Sequence, residues 1–264
     1  NERNLWEGTP QFLVYFFMGG DAVQKRKVVE TIDEWTWYAN VVFLETDSPE
    51  KSTVRIRFDE NDGNWSYVGR NCVAIAKTDA TMNLGSVDGL SPSTSGFERG
   101  VILHEFGHTL GLLHEHQSPA HGGTAVQNVS QALQFYKTDQ NWSEEQIYQQ
   151  VINVYNSYDV SNYLQVDINS IMHYPQPKEL TGLDYDIPYN ERLTDLDKAY
   201  MILQYPRKTM HPKAEAEGWS IERALKVIEA PEDVAADIVK YADLNRDHYG
   251  EISPVNMRAV LKKW

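Results

Sequence analysis

The most informative stretch of this sequence is a run of histidine and glutamate residues near its middle. His104 and His108 are four residues apart, so on an α-helix both imidazoles would leave the same face one turn apart. This spacing allows two nitrogens to reach one Zn²⁺ ion at about 2.0–2.1 Å. Glu105 lies beside them and could act as general base toward a water that the ion activates. The pattern therefore predicts a zinc site with a neighbouring base.

Two further residues extend this pattern. Gly111 can leave the helix with a positive φ, which would turn the chain so that His114 returns to the metal. Three neutral histidine ligands would leave one coordination position for water, as in catalytic rather than structural zinc sites. The alternative is a helix with satisfied histidines and no metal. The added glycine and histidine at fixed offsets make a chance match rare and favour zinc.

A second group of residues lies downstream, at Ser170–Tyr174. Met172 could form an apolar floor beneath the metal, because its thioether adapts to irregular gaps. The Tyr174 phenol could be an extra ligand or a donor to a developing oxyanion. Taken alone, Met172 would be an ordinary core methionine and Tyr174 an ordinary half-buried tyrosine. The upstream histidine motif is what favours a role at the site.

A run of strand, helix, strand and strand in the first third of the chain is expected to help position these residues. Gln11–Phe17, Val41–Glu45 and Val54–Phe58 have strand patterns, and Asp21 is a plausible N-cap for an amphipathic helix at Asp21–Ala39. This order suggests a mixed sheet with a helix packed on it. Further strands are predicted at Cys72–Ala76 and Thr81–Leu84. Further helices are predicted at Phe97–Leu113, Thr124–Gln134, Ser143–Asn153 and Thr194–Gln204, the last with Thr194 as its N-cap.

Together the two motifs resemble those of the metzincin metalloendopeptidases. His104–Glu115 looks like their long zinc signature and Ser170–Tyr174 like their Met-turn, with the tyrosine two residues after the methionine as in the astacin branch. Trp65–Gly69 is also similar to an astacin segment upstream of the active-site helix. The resemblance covers roughly Leu5 to Pro206 and is greatest to the microbial, cysteine-poor relatives of the astacins.

The resemblance implies an α+β fold, a metzincin-like peptidase of two subdomains. A twisted mixed sheet of four or five strands would stand over a cleft, with a backing helix and an active-site helix. One antiparallel edge strand, from Cys72–Ala76 or Thr81–Leu84, would bind peptide by strand addition. The lower half would be irregular and would end in the Thr194–Gln204 helix.

The resemblance also implies roles for individual residues. The three histidines of the motif would be the zinc ligands, and Glu105 would be the general base and then the proton shuttle. Tyr174 would be a displaceable fifth metal ligand that stabilises the tetrahedral intermediate, and Met172 would floor the site. Glu115 would anchor the mature N-terminus or, as the favoured alternative, be an exposed or capping glutamate. Behind the ligands or on the surface we expect His116, His121 and His173.

Composition limits the partners of the protein. The 264 residues include 24 Lys+Arg and 38 Asp+Glu, and this acidic balance argues against nucleic acid and against an anionic membrane surface. The longest apolar run, Phe12–Met18, is too short to span a bilayer. Cys72 is the single cysteine, so the disulfides of animal astacins are impossible here. From the resemblance we expect a secreted, extracellular monomer that acts on polypeptides, without nucleic-acid or membrane partners.

The last part of the chain falls outside the resemblance. Pro206–Pro212 resembles a linker, which divides the chain into a peptidase domain at 1–206 and a helical C-terminal extension at 207–264. Short helices of this size are marginally stable alone. We therefore expect the extension to dock onto the main domain through its apolar residues at helical spacing, Trp219, Ile221, Leu225 and Ile228.

The extension contains a degenerate EF-hand-like loop at Asp243–Asn256. In one reading frame the position of the bidentate acid falls on Pro254, and in the other it falls on Asn256. A metal-free helical hairpin is therefore favoured over a Ca²⁺ site. One catalytic Zn²⁺ remains the expected cofactor.

The function favoured by these observations is that of a zinc-dependent metalloendopeptidase that hydrolyses internal peptide bonds. The alternative is a catalytically silent, zinc-containing module that captures peptide without cleaving it. Hydrolysis of some other amide is a third possibility that no residue favours. The presence of all the required side chains, Glu105 in particular, favours the enzyme.

Overall fold

A five-stranded mixed sheet forms the upper part of the protein. The computed structural model describes residues 4–119, 126–139, 142–155, 166–248 and 252–261. The strand order is β2-β1-β3-β5-β4, in which only the β4–β5 pair is antiparallel. This arrangement confirms the predicted mixed sheet of an α+β fold. The strands are β1 (Gln11–Phe17), β2 (Val41–Glu45), β3 (Val54–Arg57), β4 (Asn64–Ser66) and β5 (Met82–Leu84).

Within these ranges, ten α-helices accompany the sheet, and none of them is long and apolar enough to cross a membrane. They are α1 (Ala22–Tyr38), α2 (Gly96–Thr109), α3 (Val129–Asp139), α4 (Glu144–Ile147), α5 (Lys178–Thr181), α6 (Asp195–Gln204), α7 (Pro212–Ala216), α8 (Ile221–Val227), α9 (Glu232–His248) and α10 (Pro254–Leu261).

The antiparallel edge strand is not one of the two predicted segments. It is β4, three residues long, whereas Thr81–Leu84 contributes the internal strand β5, which pairs with both β3 and β4. The strand predicted at Cys72–Ala76 is wrong, because Gly69–Ala74 forms a 3₁₀ turn. Gly69 has a φ of 46°, a left-handed conformation that ends extended structure before Cys72.

Helix α1 supports the sheet and holds α2 in place. Asp21 caps α1 through its side chain, as predicted. The ammonium of Lys27 is completely buried and lies 2.5 Å from the carboxylate of Glu98, in the first turn of α2. The indole of Trp35 donates to the carbonyl of Leu103, 3.1 Å away. These contacts fix the orientation of α2, which carries the predicted zinc ligands.

The lower half has a smaller hydrophobic core of its own. Helix α3 begins and ends five residues later than the predicted helix Thr124–Gln134. Residues 124 and 125 of the predicted helix lie outside the described residues. The predicted helix Ser143–Asn153 is present as α4 followed by one wide π-type turn. Helix α6 begins after its N-cap Thr194, as predicted. The buried residues of this core are Ala132, Tyr136, Ile147, Val151 and Leu180.

The C-terminal helices share the main hydrophobic core. Leu225 and Trp219 are each 3% exposed, and the Trp219 ring packs against Tyr38 of α1 with centroids 6.2 Å apart. Arg207 in the predicted linker donates to the carbonyls of Thr36 and Ala39, so this segment is also tied to α1. The apolar spacing in the extension therefore corresponds to burial against the rest of the chain.

The EF-hand-like segment does not begin as a loop. Residues 243–248 continue helix α9, and α10 begins at Pro254. Residues 249–251, at the centre of the predicted loop, lie outside the described residues. The first half of the pattern is therefore helical, which differs from the predicted loop.

Because the C-terminal helices share the main core, a cavity there should weaken the whole protein. We expect Leu225→Ala to lower the free energy of unfolding by about 2–5 kcal/mol, through lost burial and the cavity that remains. The matched control is Leu244→Ala, since Leu244 is 50% exposed in α9. Urea unfolding followed by circular dichroism and tryptophan fluorescence measures both. A separate early transition in Leu225→Ala, with the main transition unmoved, would contradict the shared core.

Candidate metal centre

Helix α2 and the turn after it bring three histidines together. His104 and His108 lie one helical turn apart, with ring centroids separated by 4.7 Å. Gly111, with a φ of 95°, then reverses the chain, so that the ring of His114 lies 4.6 Å from that of His108. One ligand nitrogen from each of the three lies within 4.8 Å of the others. The helix predicted at Phe97–Leu113 therefore ends four residues earlier, at Thr109.

Hydrogen bonds orient all three rings in the same way. Each imidazole has its Nδ1 atom within hydrogen-bonding distance of a carbonyl or amide oxygen. Such oxygens only accept, so Nδ1 carries the proton and Nε2 presents a lone pair. This is the tautomer that outer hydrogen bonds set in histidine–metal sites. The pairs are His104 with the Ile171 carbonyl (2.7 Å), His108 with the Leu112 carbonyl (2.9 Å) and His114 with Gln117 Oε1 (3.1 Å).

The three Nε2 atoms form a donor set that fits a cation. His104 Nε2 is buried without a hydrogen-bond partner among the described residues. His108 Nε2 and His114 Nε2 are 3.0 Å apart, and neither carries a proton to share. Two lone pairs at this distance repel each other unless a positive charge lies between them. Tetrahedral zinc with bonds of about 2.0–2.1 Å separates its ligands by roughly 3.3 Å, close to this spacing.

Burial keeps these imidazoles neutral. It lowers the pKa of His104 to about 4 and that of His108 to about 3, where the nearby His104 adds to the effect. The pKa of His114 is also lowered, first by burial and then by its histidine neighbours. Neutral imidazole is the form that binds metal, so the set is ready to ligate at neutral pH.

Glu105 lies next to the histidines and is 4% exposed. Its Oε2 atom is buried and has no hydrogen-bond partner in the described parts of the chain. Burial raises the pKa of this carboxyl to about 8, whereas a divalent cation held by the imidazoles would lower it. The group is therefore placed where the charge of a cation controls its protonation.

The Met-turn passes beneath α2, and Met172 is 2% exposed there. A Cβ at position 107 would collide with its sulfur. Gly107 is one residue before the ligand His108, so its missing side chain lets the thioether approach the helix backbone. Met172 therefore packs against the backbone of the helix that carries His104 and His108, and its role as a floor beneath the metal stays a prediction.

A buried carboxylate fixes the Met-turn, and the sequence did not reveal it. Asp197 accepts hydrogen bonds from the Ser170 hydroxyl (2.6 Å), the Ile171 amide (2.9 Å) and the Thr194 amide (2.9 Å). The carbonyl of Ile171 in turn accepts from His104. The sequence shows Asp197 only as the third residue after an N-cap threonine, a signal for a helix start. Its contact with the turn depends on how α6 packs.

Tyr174, at the end of the Met-turn, has its ring against the histidine cluster. Its ring centroid lies 4.4 Å from that of His114 and 5.6 Å from that of His104. Burial, with a smaller contribution from Glu105, raises the pKa of the phenol. Tyr174 therefore keeps its proton and is a hydrogen-bond donor beside the metal centre.

Of His116, His121 and His173, which were predicted to lie behind the triad or on the surface, two pack behind it. His116 stacks on His114 with centroids 5.2 Å apart, and His173 lies 5.7 Å from His116. Both are 2% exposed, and His121 lies outside the described residues. Glu115 accepts from the Asp167 amide at 3.1 Å. The N-terminal anchor predicted for Glu115 involves residues 1–3, which lie outside the described residues.

The metal centre lies at the bottom of an open cleft of about 480 Å³. Strand β4 forms one wall of the cleft. Trp142 lies in another wall, 6.4 Å from Tyr174, and Phe97 and Tyr189 meet edge to face at 5.0 Å. No pattern in the sequence marks Trp142, Phe97 or Tyr189 as part of a cleft, because scattered aromatic positions have no characteristic spacing.

Comparisons with known proteins agree with this geometry. The family model described as Astacin, a peptidase family, matches residues 1–181. The structure of myroilysin superposes with a TM-score of 0.68 and 28% identity, covering 78% of this chain and 97% of that one. Serralysin G of Dickeya chrysanthemi is 28% identical over 114 residues, which are 37% of this chain and 22% of that protein.

Zinc metalloproteinase nas-36 of Brugia malayi is 35% identical over 83 residues, which are 31% of this chain and 12% of that protein. The matched region thus spans less than a quarter of the length of either of these two relatives. The family model, in contrast, covers more than half of this chain, and it confirms the predicted resemblance. With its histidine triad positioned to bind the zinc that this family uses, the chain belongs to the astacin family of peptidases.

Proposed function

We propose that this protein is a zinc metalloendopeptidase that hydrolyses internal bonds of polypeptides. One observation carries the proposal: three unprotonated Nε2 atoms converge beside the buried, unpartnered Oε2 of Glu105 at the bottom of an open cleft in the described part of the chain. Family membership supports the same reaction class.

His104, His108 and His114 would hold the metal. Zn²⁺ bound there supplies Lewis-acid chemistry, which polarises the scissile carbonyl and makes a water acidic enough to be deprotonated near neutral pH. Glu105 takes the proton from the attacking water and later delivers it to the leaving amine. Its Oε2 has no competing hydrogen bond among the described residues, so the oxygen is free to hold this proton.

Tyr174 is proposed to stabilise the negative charge that develops on the carbonyl oxygen, and also to be a displaceable metal ligand. The phenol stays protonated and its ring is within 4.4 Å of the His114 ring centroid. A donor aimed at the place where charge develops contributes mainly to the transition state.

Strand β4 supplies a docking edge for an extended polypeptide. It is the last strand of the sheet, it pairs only with β5 within the described ranges, and it lines the cleft beside the metal centre. Its free edge could add a substrate strand by main-chain hydrogen bonds. An open cleft with such an edge accepts the middle of a chain, which favours endopeptidase activity.

The catalytically silent binding module is the second candidate, and it differs from the enzyme only in turnover. The intact Glu105 and Tyr174 favour the enzyme. We also propose, from family membership alone, that the protein is secreted and acts as a monomer on polypeptides. From the linker pattern at Pro206–Pro212 we propose residues 1–206 as the peptidase domain and 207–264 as its helical extension.

The purified protein should contain about one zinc per chain. We expect His108→Ala to lose most of it, because two nitrogen ligands bind far more weakly than three. Elemental analysis after dialysis measures the content. His211→Ala, which changes a histidine outside the described metal cluster, should keep its zinc. A wild-type protein that cleaves peptides without metal would contradict the proposal.

Replacing the proposed general base, Glu105, should slow peptide cleavage and leave zinc binding intact. Glu105→Gln keeps the shape of the side chain and should retain zinc and the folded structure. The rate of casein cleavage should fall about 10²–10⁴-fold, the usual effect of losing a positioned general base. Glu60→Gln on an exposed turn is the control and should cleave at the wild-type rate. Undiminished cleavage by Glu105→Gln would remove Glu105 from this role.

Tyr174→Phe should lower kcat more than it raises KM, because the phenol acts mainly on the transition state. The loss of one such donor costs roughly 2.7–4 kcal/mol. Steady-state kinetics on a fluorogenic peptide measures both constants, with Tyr185→Phe at an exposed position as the control. An unchanged kcat would show that Tyr174 only packs against the histidines.

A further inference from the structure

The C-terminal end of α2, just before the chain turns toward His114, is held by residues from both ends of the protein. The indole of Trp6 donates to the carbonyl of Thr109 at 2.8 Å. The hydroxyl of Tyr205 donates to the carbonyl of Leu110 at 2.6 Å and accepts from the Trp6 amide at 3.2 Å. The last carbonyls of a helix have no donors inside the helix, so these side chains satisfy them.

Arg258 in α10 completes this buried cluster. Its Nη2 atom donates to the carbonyls of Trp6 and Gln204, both at 2.8 Å. Its guanidinium also lies over the ring of Tyr205, 5.2 Å from the centroid. Arg258 is 4% exposed and lies beyond the residues that the family model matches. The C-terminal extension therefore contacts both residues that hold the end of α2, Trp6 through its backbone carbonyl and Tyr205 through its ring.

The N-terminal segment also lies close against the turn itself. A Cβ at Gly111 would stand 2.8 Å from Leu5 Cδ2 and 3.4 Å from the carbonyl oxygen of Asn4. A Cβ at Gly69, on the other side, would collide with the same carbonyl oxygen of Asn4. Because the segment fits closely between two glycines, a shift of Trp6 would displace the Gly111 turn that delivers His114.

We propose that Arg258 is a positioning residue for the metal centre. Arg258 holds Trp6 and Tyr205 against the last carbonyls of α2. These two residues hold the Gly111 turn in place, and the turn positions His114. The inference rests on the proposed function only in taking the three histidines as the zinc ligands. Loss of the guanidinium would leave two buried carbonyls unpaired and loosen the segment that they belong to.

The test is the rate at which zinc leaves the full-length, zinc-loaded protein for an excess of chelator at 25 °C. We expect Arg258→Met to release zinc about tenfold faster, the lower end of what outer-layer substitutions do to metal sites. Ile238→Ala is the control. It opens a cavity in α9, which packs on α8 and α10, and should lower the melting temperature of the protein while leaving Trp6, Tyr205 and Arg258 unaltered. Equal release rates in the two variants would overturn the proposal.

A double-mutant cycle gives a second, independent result. Trp6→Phe keeps an aromatic ring but removes the donor to Thr109, so its effect on zinc release should overlap with that of Arg258→Met rather than multiply with it. Strictly multiplicative effects would overturn the coupling. If Arg258→Met does not fold, Arg258→Gln takes its place in the cycle, since it also removes the guanidinium but leaves a polar side chain at the position.

The Co²⁺-substituted protein adds a spectroscopic measurement. Its visible absorption should change in Arg258→Met and return toward the wild-type spectrum in Arg258→Lys, because the spectrum reports ligand geometry. An unaltered spectrum in Arg258→Met would count against the proposal. Neither zinc release nor the spectrum requires peptide cleavage, so failure of the peptidase proposal would show in turnover alone.

Discussion

Three neutral imidazoles that point their lone pairs at one buried place need a cation between them. His108 Nε2 and His114 Nε2 are 3.0 Å apart, and their protons are committed to oxygens on the far sides of the rings. This electrostatic constraint explains why so much of the surrounding structure serves to orient the rings. Without those outer oxygens the rings could turn, share a proton and lose the shape of a metal site.

The outer oxygens of His104 and His114 tie the histidines to different parts of the fold. The oxygen for His104 comes from the Met-turn, which is fixed by the buried Asp197 of α6. The oxygen for His114 is the Gln117 side chain, whose amide nitrogen also donates to the carbonyls of Gln149 and Asn153 in the lower half. The geometry of the metal centre therefore depends on how the upper and lower halves pack against one another.

The C-terminal helices complete the structure around this centre. They share the main core, and Arg258 reaches the end of α2 through Trp6 and Tyr205. Helix α10, which lies beyond the residues that the family model matches, thus helps to hold the turn that carries His114. In physical terms the extension covers apolar surface of α1 and α6 and also satisfies buried carbonyls that water cannot reach.

Patterns with a local cause were readable from the sequence. The His104–Glu105–His108 spacing, the Gly111 turn, the capping residues Asp21 and Thr194 and the strand Gln11–Phe17 follow from helix and strand periodicity and from side chains that cap their own backbone. Such features are determined by residues close together in the sequence, so they can be predicted without knowing the tertiary structure.

The remaining features depend on packing between distant segments. Which short segment became the antiparallel edge depended on its partners, and Asn64–Ser66 took the place predicted for Cys72–Ala76 or Thr81–Leu84 because Gly69 turns the chain and β5 has a strand on each side. The links of Asp197 to the Met-turn and of Arg258 to Trp6 join residues 26 and 252 positions apart. The sequence by itself determined the three histidines and their spacing, and only the tertiary structure decided what holds them in place, because buried hydrogen bonds between remote segments leave no periodic trace in the chain.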